Sequence, residues 1–183
     1  IPVGDALFFT VKTDGTDLRS APLPVALPGS RVVGSFAITG KRTSILSMNM
    51  PGIPVGEDPT TVGGAISEVF VLDGKDLIQL TRFQSRGTYN GFLGVDRQRG
   101  YFIASAGPLG TNPSRNCQLF SIDRLGAGLR QITAFDEGRS SLGCGTGPPP
   151  GCEVRGIRQD PVTGTIVFYS SCNPFGTNTN GGP

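Results

Sequence analysis

The sequence predicts an all-β fold built from repeated four-stranded antiparallel units. Short runs of β-branched and aromatic residues alternate with Gly, Pro, Asn and Asp, and the 3.6-residue spacing of an amphipathic helix is almost absent. The runs recur about every ten residues, the spacing of an antiparallel meander. The chain also repeats itself in two independent registers, one of 52 residues (Thr81 to Thr133) and one of 66 (Gly110 to Gly176).

In chain order the expected strands are Ala6–Lys12, Gly34–Thr39, Ser44–Asn49, Glu68–Asp73, Leu77–Thr81, Gly91–Asp96, Gly100–Ala106, Gln118–Asp123, Leu129–Thr133, Val154–Gln159 and Thr165–Ser171. Val69-Phe70-Val71-Leu72-Asp73, a turn, and Leu77-Ile78-Gln79-Leu80-Thr81-Arg82-Phe83 form one hairpin. Leu119-Phe120-Ser121-Ile122-Asp123, a turn, and Leu129-Arg130-Gln131-Ile132-Thr133-Ala134-Phe135 form its counterpart. Aspartate, leucine, glutamine, threonine and phenylalanine recur in the same order. In the second register Gly107-Pro108-Leu109-Gly110-Thr111-Asn112 returns as Asn173-Pro174-Phe175-Gly176-Thr177-Asn178. A weaker third copy opens the chain: Leu7-Phe8-Phe9-Thr10-Val11, then Asp14-Gly15-Thr16-Asp17-Leu18-Arg19, with Ser20-Ala21-Pro22 in place of Gln-Leu-Thr.

Four antiparallel strands repeated at 50–66 residues are the pattern of a β-propeller blade, which buries neither face alone and completes its core against its neighbours. The expected units are a half blade over 1–33, blades over 34–87 and 88–140, and a half blade over 141–183. Two full blades plus two half blades make an incomplete arc, because closed propellers have at least four blades. The chain therefore reads as a piece of a longer propeller, or as an arc whose remaining blades come from another copy.

The hairpin pattern apolar-Phe-x-Ile-Asp, turn, Gly-Leu-Arg-Gln-Ile-Thr at 119–133, matched with a shorter turn at 69–81, resembles the WD-like repeat of TolB-type β-propellers. That resemblance covers most of the chain at blade level. It implies an interaction scaffold of the periplasm or cell surface that binds protein, peptide or glycan. Similar blades also cap prolyl-oligopeptidase-type peptidases, so the alternative is the propeller portion of a larger enzyme whose catalytic domain lies outside this segment. Within the pattern, Asp73 and Asp123 are expected to accept turn N–H groups, Gly126 and Gly128 to take turn dihedrals, and Leu80, Ile132, Phe83 and Phe135 to fill the space between blades.

Composition narrows the function. Glycine (28) and proline (15) make up nearly a quarter of the 183 residues, about twice the usual share. Aliphatic and aromatic residues at 37% still suffice for a packed core. No apolar run is long enough to span a bilayer, and a net charge of +2 gives no general attraction for nucleic acid. The absence of histidine excludes a Ser-His-Asp triad, a Cys-His dyad and His-ligated zinc in this segment. No Gly-x-Ser-x-Gly elbow and no phosphate-cradling glycine loop is present, and the adjacent carboxylates Glu57/Asp58 and Asp136/Glu137 read as solvated loop charges. No catalytic residue, metal or cofactor is expected.

Four cysteines remain. Cys144 and Cys152 bracket a Gly/Pro-rich loop and are the expected disulfide; free thiols or, with no CxxC pair, a metal site are the rival readings. Cys172 either lacks its partner, which the repeat would place in a following blade, or bridges to Cys117. A disulfide implies an oxidising compartment, periplasmic or extracellular. The best candidates for binding are the repeated loops between second and third strands, with Thr111 and Asn112 in one and Thr177 and Asn178 in the next, set against an Asn-Pro turn of purely local origin. Arg82, Arg86, Arg97, Arg99 and Arg115 read as a dispersed basic surface.

Overall fold

A computed structural model describes residues 7–10, 12, 14–22, 31–33, 43–52, 65–73, 76–96, 98–136, 144 and 152–175. Its regular elements are all strands: β1 (Leu7–Thr10), β2 (Arg19–Pro22), β3 (Arg31–Val33), β4 (Thr43–Pro51), β5 (Ala65–Asp73), β6 (Asp76–Gln79), β7 (Thr88–Leu93), β8 (Arg99–Ala104), β9 (Gln118–Asp123), β10 (Arg130–Gln131), β11 (Val154–Gln159) and β12 (Ile166–Ser170). They form four antiparallel sheets, β1-β2, β3-β4-β5-β6, β7-β8-β9-β10 and β11-β12, each a meander in sequence order. The described strand leading the first four-stranded sheet is Arg31–Val33, which pairs with Ser47–Asn49. The expected strand Gly34–Thr39 lies outside the described residues.

Local chemistry accounts for the strand ends. Asp123 closes β9 by accepting the Leu125 N–H at 2.8 Å, and Gly126 (φ +86°) and Gly128 (φ +59°) take the left-handed dihedrals that follow. Asp73, at the same point of the first sheet, instead accepts the Thr43 hydroxyl at 2.9 Å and faces the Arg124 guanidinium at 3.5 Å, so it ties two sheets together.

Alternation along β8 sends Phe102 and Ala104 to one face and Ile103 to the other, and both faces are buried. On the first face Phe102, Phe120 and Ile122 pack against Ile45, Val69, Val71 and Leu80 of the preceding sheet. Phe83 leaves the end of that sheet and sets its ring 6.0 Å from Phe102 and 6.3 Å from Phe120, which themselves stack at 5.8 Å. The two sheets come unusually close at Ile45, which sits over Gly91 and Gly100, where no Cβ would fit. On the second face Ile103 and Leu119 pack against Val154 and Ile157 of the last sheet, with Phe135 6.3 Å from Phe168. Leu80, Phe83 and Phe135 thus lie between sheets as the sequence suggested, whereas Ile132 is 47% exposed: Leu80 belongs to the cluster between the first two four-stranded sheets, but Ile132 stands outside the cluster that packs the second against the last.

The repeats survive as repeated hydrogen bonds. Leu80 and Thr81 N–H both point to Val69 O, as Ile132 and Thr133 N–H do to Leu119 O. At the 66-residue step, Gly94 N to Arg99 O recurs as Asp160 N to Thr165 O, and Ser105 N to Gly87 O recurs as Ser171 N to Glu153 O. The β7–β8 and β11–β12 hairpins are therefore the same structural unit, each with a register shift partway along.

All four cysteines are bridged, and the expected Cys144–Cys152 pair is not formed. The bonds are Cys117–Cys144 and Cys152–Cys172. Register is the reason. Val154 opposes Ser170, and two residues further out the same ladder brings Cys152 and Cys172 face to face, with Cα atoms 4.7 Å apart. Cys117, at the start of β9, runs parallel to Glu153, its N–H on Cys152 O and its carbonyl receiving Val154 N–H. It bonds the other cysteine of the connection, Cys144. Neither a missing partner for Cys172 nor a Cys117–Cys172 bridge is needed. Loops of 27 and 20 residues give about 3 kcal/mol of loop-closure stabilisation each. Two disulfides are consistent with an oxidising, non-cytoplasmic environment.

Candidate functional site

Two polar constellations stand out, and the first is internal. Thr81 and Thr133 are the threonines of the repeated signature, and each hydroxyl works twice. It accepts the N–H of Val69 or Leu119 at 2.8 and 2.9 Å and donates to the side chain of Glu68 or Gln118 at 2.5 and 2.7 Å. Glu68 and Gln118 are both fully buried at equivalent places. The two differ in chemistry, and the backbone differs with them. The Glu68 carboxylate, an acceptor only, receives the N–H groups of Phe83 (3.0 Å) and Gln84 (2.7 Å), a nest opened by the positive φ of Gln84 (+48°). The Gln118 amide accepts Phe135 N–H at 3.2 Å and donates back to Phe135 O at 2.5 Å. Gln79 and Gln131 complete the pattern by donating to Thr81 O and Thr133 O. These groups are saturated by one another and fasten each sheet's last strand; nothing in them is available for chemistry on a substrate.

The second constellation is the connection between β8 and β9, where two of the sequence-chosen binding residues lie. Asn112 is buried. Its amide donates to Ala106 O (3.2 Å) and Asn116 O (2.8 Å), and its Oδ1 accepts Asn116 N–H at 3.1 Å. The Asn112-Pro113 step makes the turn that the dipeptide suggests, closed by Arg115 N to Asn112 O at 3.1 Å. Asn112 therefore holds the loop from inside rather than facing a ligand. Thr111 is exposed, donating to Gln131 Oε1 at 2.6 Å while Gln131 Nε2 reaches Thr111 O at 3.3 Å. Leu109, at the tip between the turn and Gly110 (φ +69°), is 46% exposed. Thr177 and Asn178 lie outside the described residues.

Arg115 is not part of a diffuse basic surface. Its Nε donates to Ser105 O, and its terminal nitrogen reaches the Ser85 hydroxyl at the end of the preceding sheet. Arg99 likewise spans from β8 to Gly128 O at 2.7 Å. Arg82 is exposed and Arg97 lies outside the described residues. Asp136 is exposed, and Glu57, Asp58 and Glu137 lie outside the described residues. Glu153, buried, faces the Arg155 guanidinium. Among the described residues there is no cluster of His, Cys, Asp or Glu that could hold a metal ion, and no helix long and apolar enough to cross a membrane.

The residues missed by sequence reasoning are Glu68 and Gln118. The available signal was their constant place just before the apolar-Phe strand, 13 and 15 residues ahead of Thr81 and Thr133. No protein-family model matches the chain, and no curated protein sequence matches it.

Proposed function

We propose that this chain is a non-catalytic interaction scaffold: an arc of a TolB-like β-propeller, with two full blades and two half blades, from an exported or cell-surface protein. Its recognition surface is the face carrying the β8–β9 connection, and its ligands are a protein, a peptide or a glycan. The observation that carries this reading is the division of labour within that connection. Asn112 and Arg115 hold the backbone from below, so Leu109 and Thr111 are presented on a loop already fixed in shape. Preorganisation of this kind lowers the entropy lost on binding. An apolar tip beside a hydroxyl suits a peptide side chain or a sugar face. The absence of histidine and the mutual engagement of Thr81 with Glu68 and of Thr133 with Gln118 favour binding over catalysis.

The test is a peptide and glycan array probed with the native chain and with Leu109→Asp/Thr111→Ala. The expected result is a set of array members bound by the native chain and lost at least tenfold by the double variant, with unchanged thermal unfolding. Binding indifferent to the double variant, or no array member bound, overturns the proposal.

A further inference from the structure

The 66-residue register, Gly107-Pro108-Leu109-Gly110-Thr111-Asn112 and then Asn173-Pro174-Phe175-Gly176-Thr177-Asn178, sets a large apolar residue after a proline on two successive sheets. The two proline–apolar pairs stand at the same end of their sheets, beyond β8 and beyond β12. Leu109 is 46% exposed and Phe175 85%. Leu109 keeps its exposure although its own sheet is packed between two others, so the openness belongs to the place in the repeat. Pro108, Pro113 and Pro174 are exposed beside them, and neither 107–113 nor 173–178 holds a charged residue. Both tips have fixed bases. Asn112 and Arg115 hold the first from within. Behind the second, Cys172 is bonded to Cys152, and its N–H meets the Ser170 hydroxyl at 3.0 Å.

Hydrogen bonding and spacing narrow the ligand. The first tip turns its N–H groups inward: Gly110 N–H to Gly107 O, Arg115 N–H to Asn112 O and Asn116 N–H to Asn112 Oδ1, each at 3.1 Å. A strand that must pair backbone with backbone, or a sugar that needs several polar groups at once, finds little to hold there. A polyproline II helix needs neither, because its backbone makes no internal bonds and stays solvated. Sheets packed face to face lie about 10 Å apart, and equivalent tips of neighbouring sheets are separated by about that distance. An extended strand returns its side chains to one side after about 6.6 Å and again after about 13 Å. A polyproline II helix returns them after three residues, about 9.3 Å.

We propose that Pro108-Leu109 and Pro174-Phe175 together grip a neutral, proline-rich segment in the polyproline II conformation, one tip on residue i and the other on residue i+3. Phe175 offers its ring to one proline and Leu109 its branched end to the next, and the ligand arrives already ordered, so little entropy is lost. The inference rests on the reading of the β8–β9 connection as a recognition surface.

Fluorescence anisotropy of labelled nonaproline, with a Gly/Ser peptide of equal length for comparison, tests it on the native chain, Leu109→Asp and Phe175→Asp. The expected result is binding of nonaproline and not of the Gly/Ser peptide, weakened about tenfold or more by either substitution, with thermal unfolding unchanged. Leu109→Ser and Phe175→Ser replace any aspartate variant whose thermal unfolding shifts. No binding of nonaproline, equal binding of the Gly/Ser peptide, or indifference to either substitution overturns the inference. The array experiment above separates the two readings. If other peptides or glycans bind there and are lost in Leu109→Asp/Thr111→Ala while nonaproline does not bind, the polyproline ligand is wrong and the recognition surface stands. If the array shows no such loss, both fall.

Discussion

Gly100→Ala is the sharpest perturbation of the packing between the two four-stranded sheets. A Cβ on Gly100 overlaps Ile45 Cδ1 and lies 3.5 Å from Ile45 Cγ1 and 3.8 Å from Ile122 Cγ2. Cδ1 must move by more than about 1 Å to regain the ~3.5 Å of ordinary contact. Ile45 is buried, so the displaced methyl has no open space to enter. Overpacking of this sort costs about 1–3 kcal/mol, which corresponds to about 2–12 °C in Tm for a chain of this length. Ile45→Val removes Cδ1 and alone costs about 0.5–1.5 kcal/mol. In the double variant the clash is gone, so the two changes should sum to at least about 1 kcal/mol less than their separate costs. Gly91 supplies the control. Its Cβ would meet Ile45 Cγ2 at 2.5 Å, an atom that valine keeps, so Ile45→Val should not rescue Gly91→Ala. Urea denaturation of the three single and two double variants measures all of these quantities. Additivity of Gly100→Ala with Ile45→Val, or equal rescue of Gly91→Ala, would refute the close approach of the sheets at Ile45.

Glu68 and Gln118 occupy equivalent places but should not be interchangeable. Glu68→Gln sets its NH2 donor against either the Phe83 or the Gln84 N–H, which bond different carboxylate oxygens, and Gln118→Glu sets a carboxylate oxygen against Phe135 O, each losing about 1–3 kcal/mol in urea denaturation. Peptide mapping without reduction should recover 117–144 and 152–172 linkages and no 144–152 linkage; removing both Cys152 and Cys172 as alanines should lower stability by about 3 kcal/mol. Asp160 accepts the N–H groups of Val162 and Thr163, which hold its carboxyl below the usual carboxylate range. A depressed folded-state pKa stabilises above the unfolded value near ~4 and is lost as pH falls through the folded value. Asp160→Asn should therefore lower Tm at pH 7, where the stabilisation is fully present, and flatten the acid side of a Tm-against-pH profile, the two chains converging below about pH 4.

How much of this was legible in the sequence depended on whether the signal was local. The all-β class, the strand meander and the repeated Gln-x-Thr-x-Phe signature rest on short-range periodicity, and the hydrogen bonds of Gln79/Gln131 and Thr81/Thr133 follow it residue for residue. The partners of those threonines did not show, because Glu68 and Gln118 stand on a different strand and differ from each other in type. The disulfides were misread for a related reason. Nearness along the chain favoured Cys144 with Cys152, whereas the register of β11 against β12 opposes Cys152 to Cys172. Asn112 was half legible: its turn follows from Asn-Pro, but its burial depends on three carbonyl and N–H groups gathered around it by the fold of the loop. Ile132 shares a repeat position and its flanking hydrogen bonds with Leu80, yet the sheet that follows it has only two described strands, and Ile132 stands outside the cluster packed against them.

The face-to-face stacking of successive four-stranded sheets underlies everything above, and methyl and aromatic NOEs measure it directly. The account requires strong cross-peaks from the Ile45 δ1 methyl to the Gly100 α protons, and from the Phe83 ring to those of Phe102 and Phe120. Cross-peaks confined to neighbours within each sheet, with none joining Ile45 to Gly100 or Phe83 to Phe120, would contradict it.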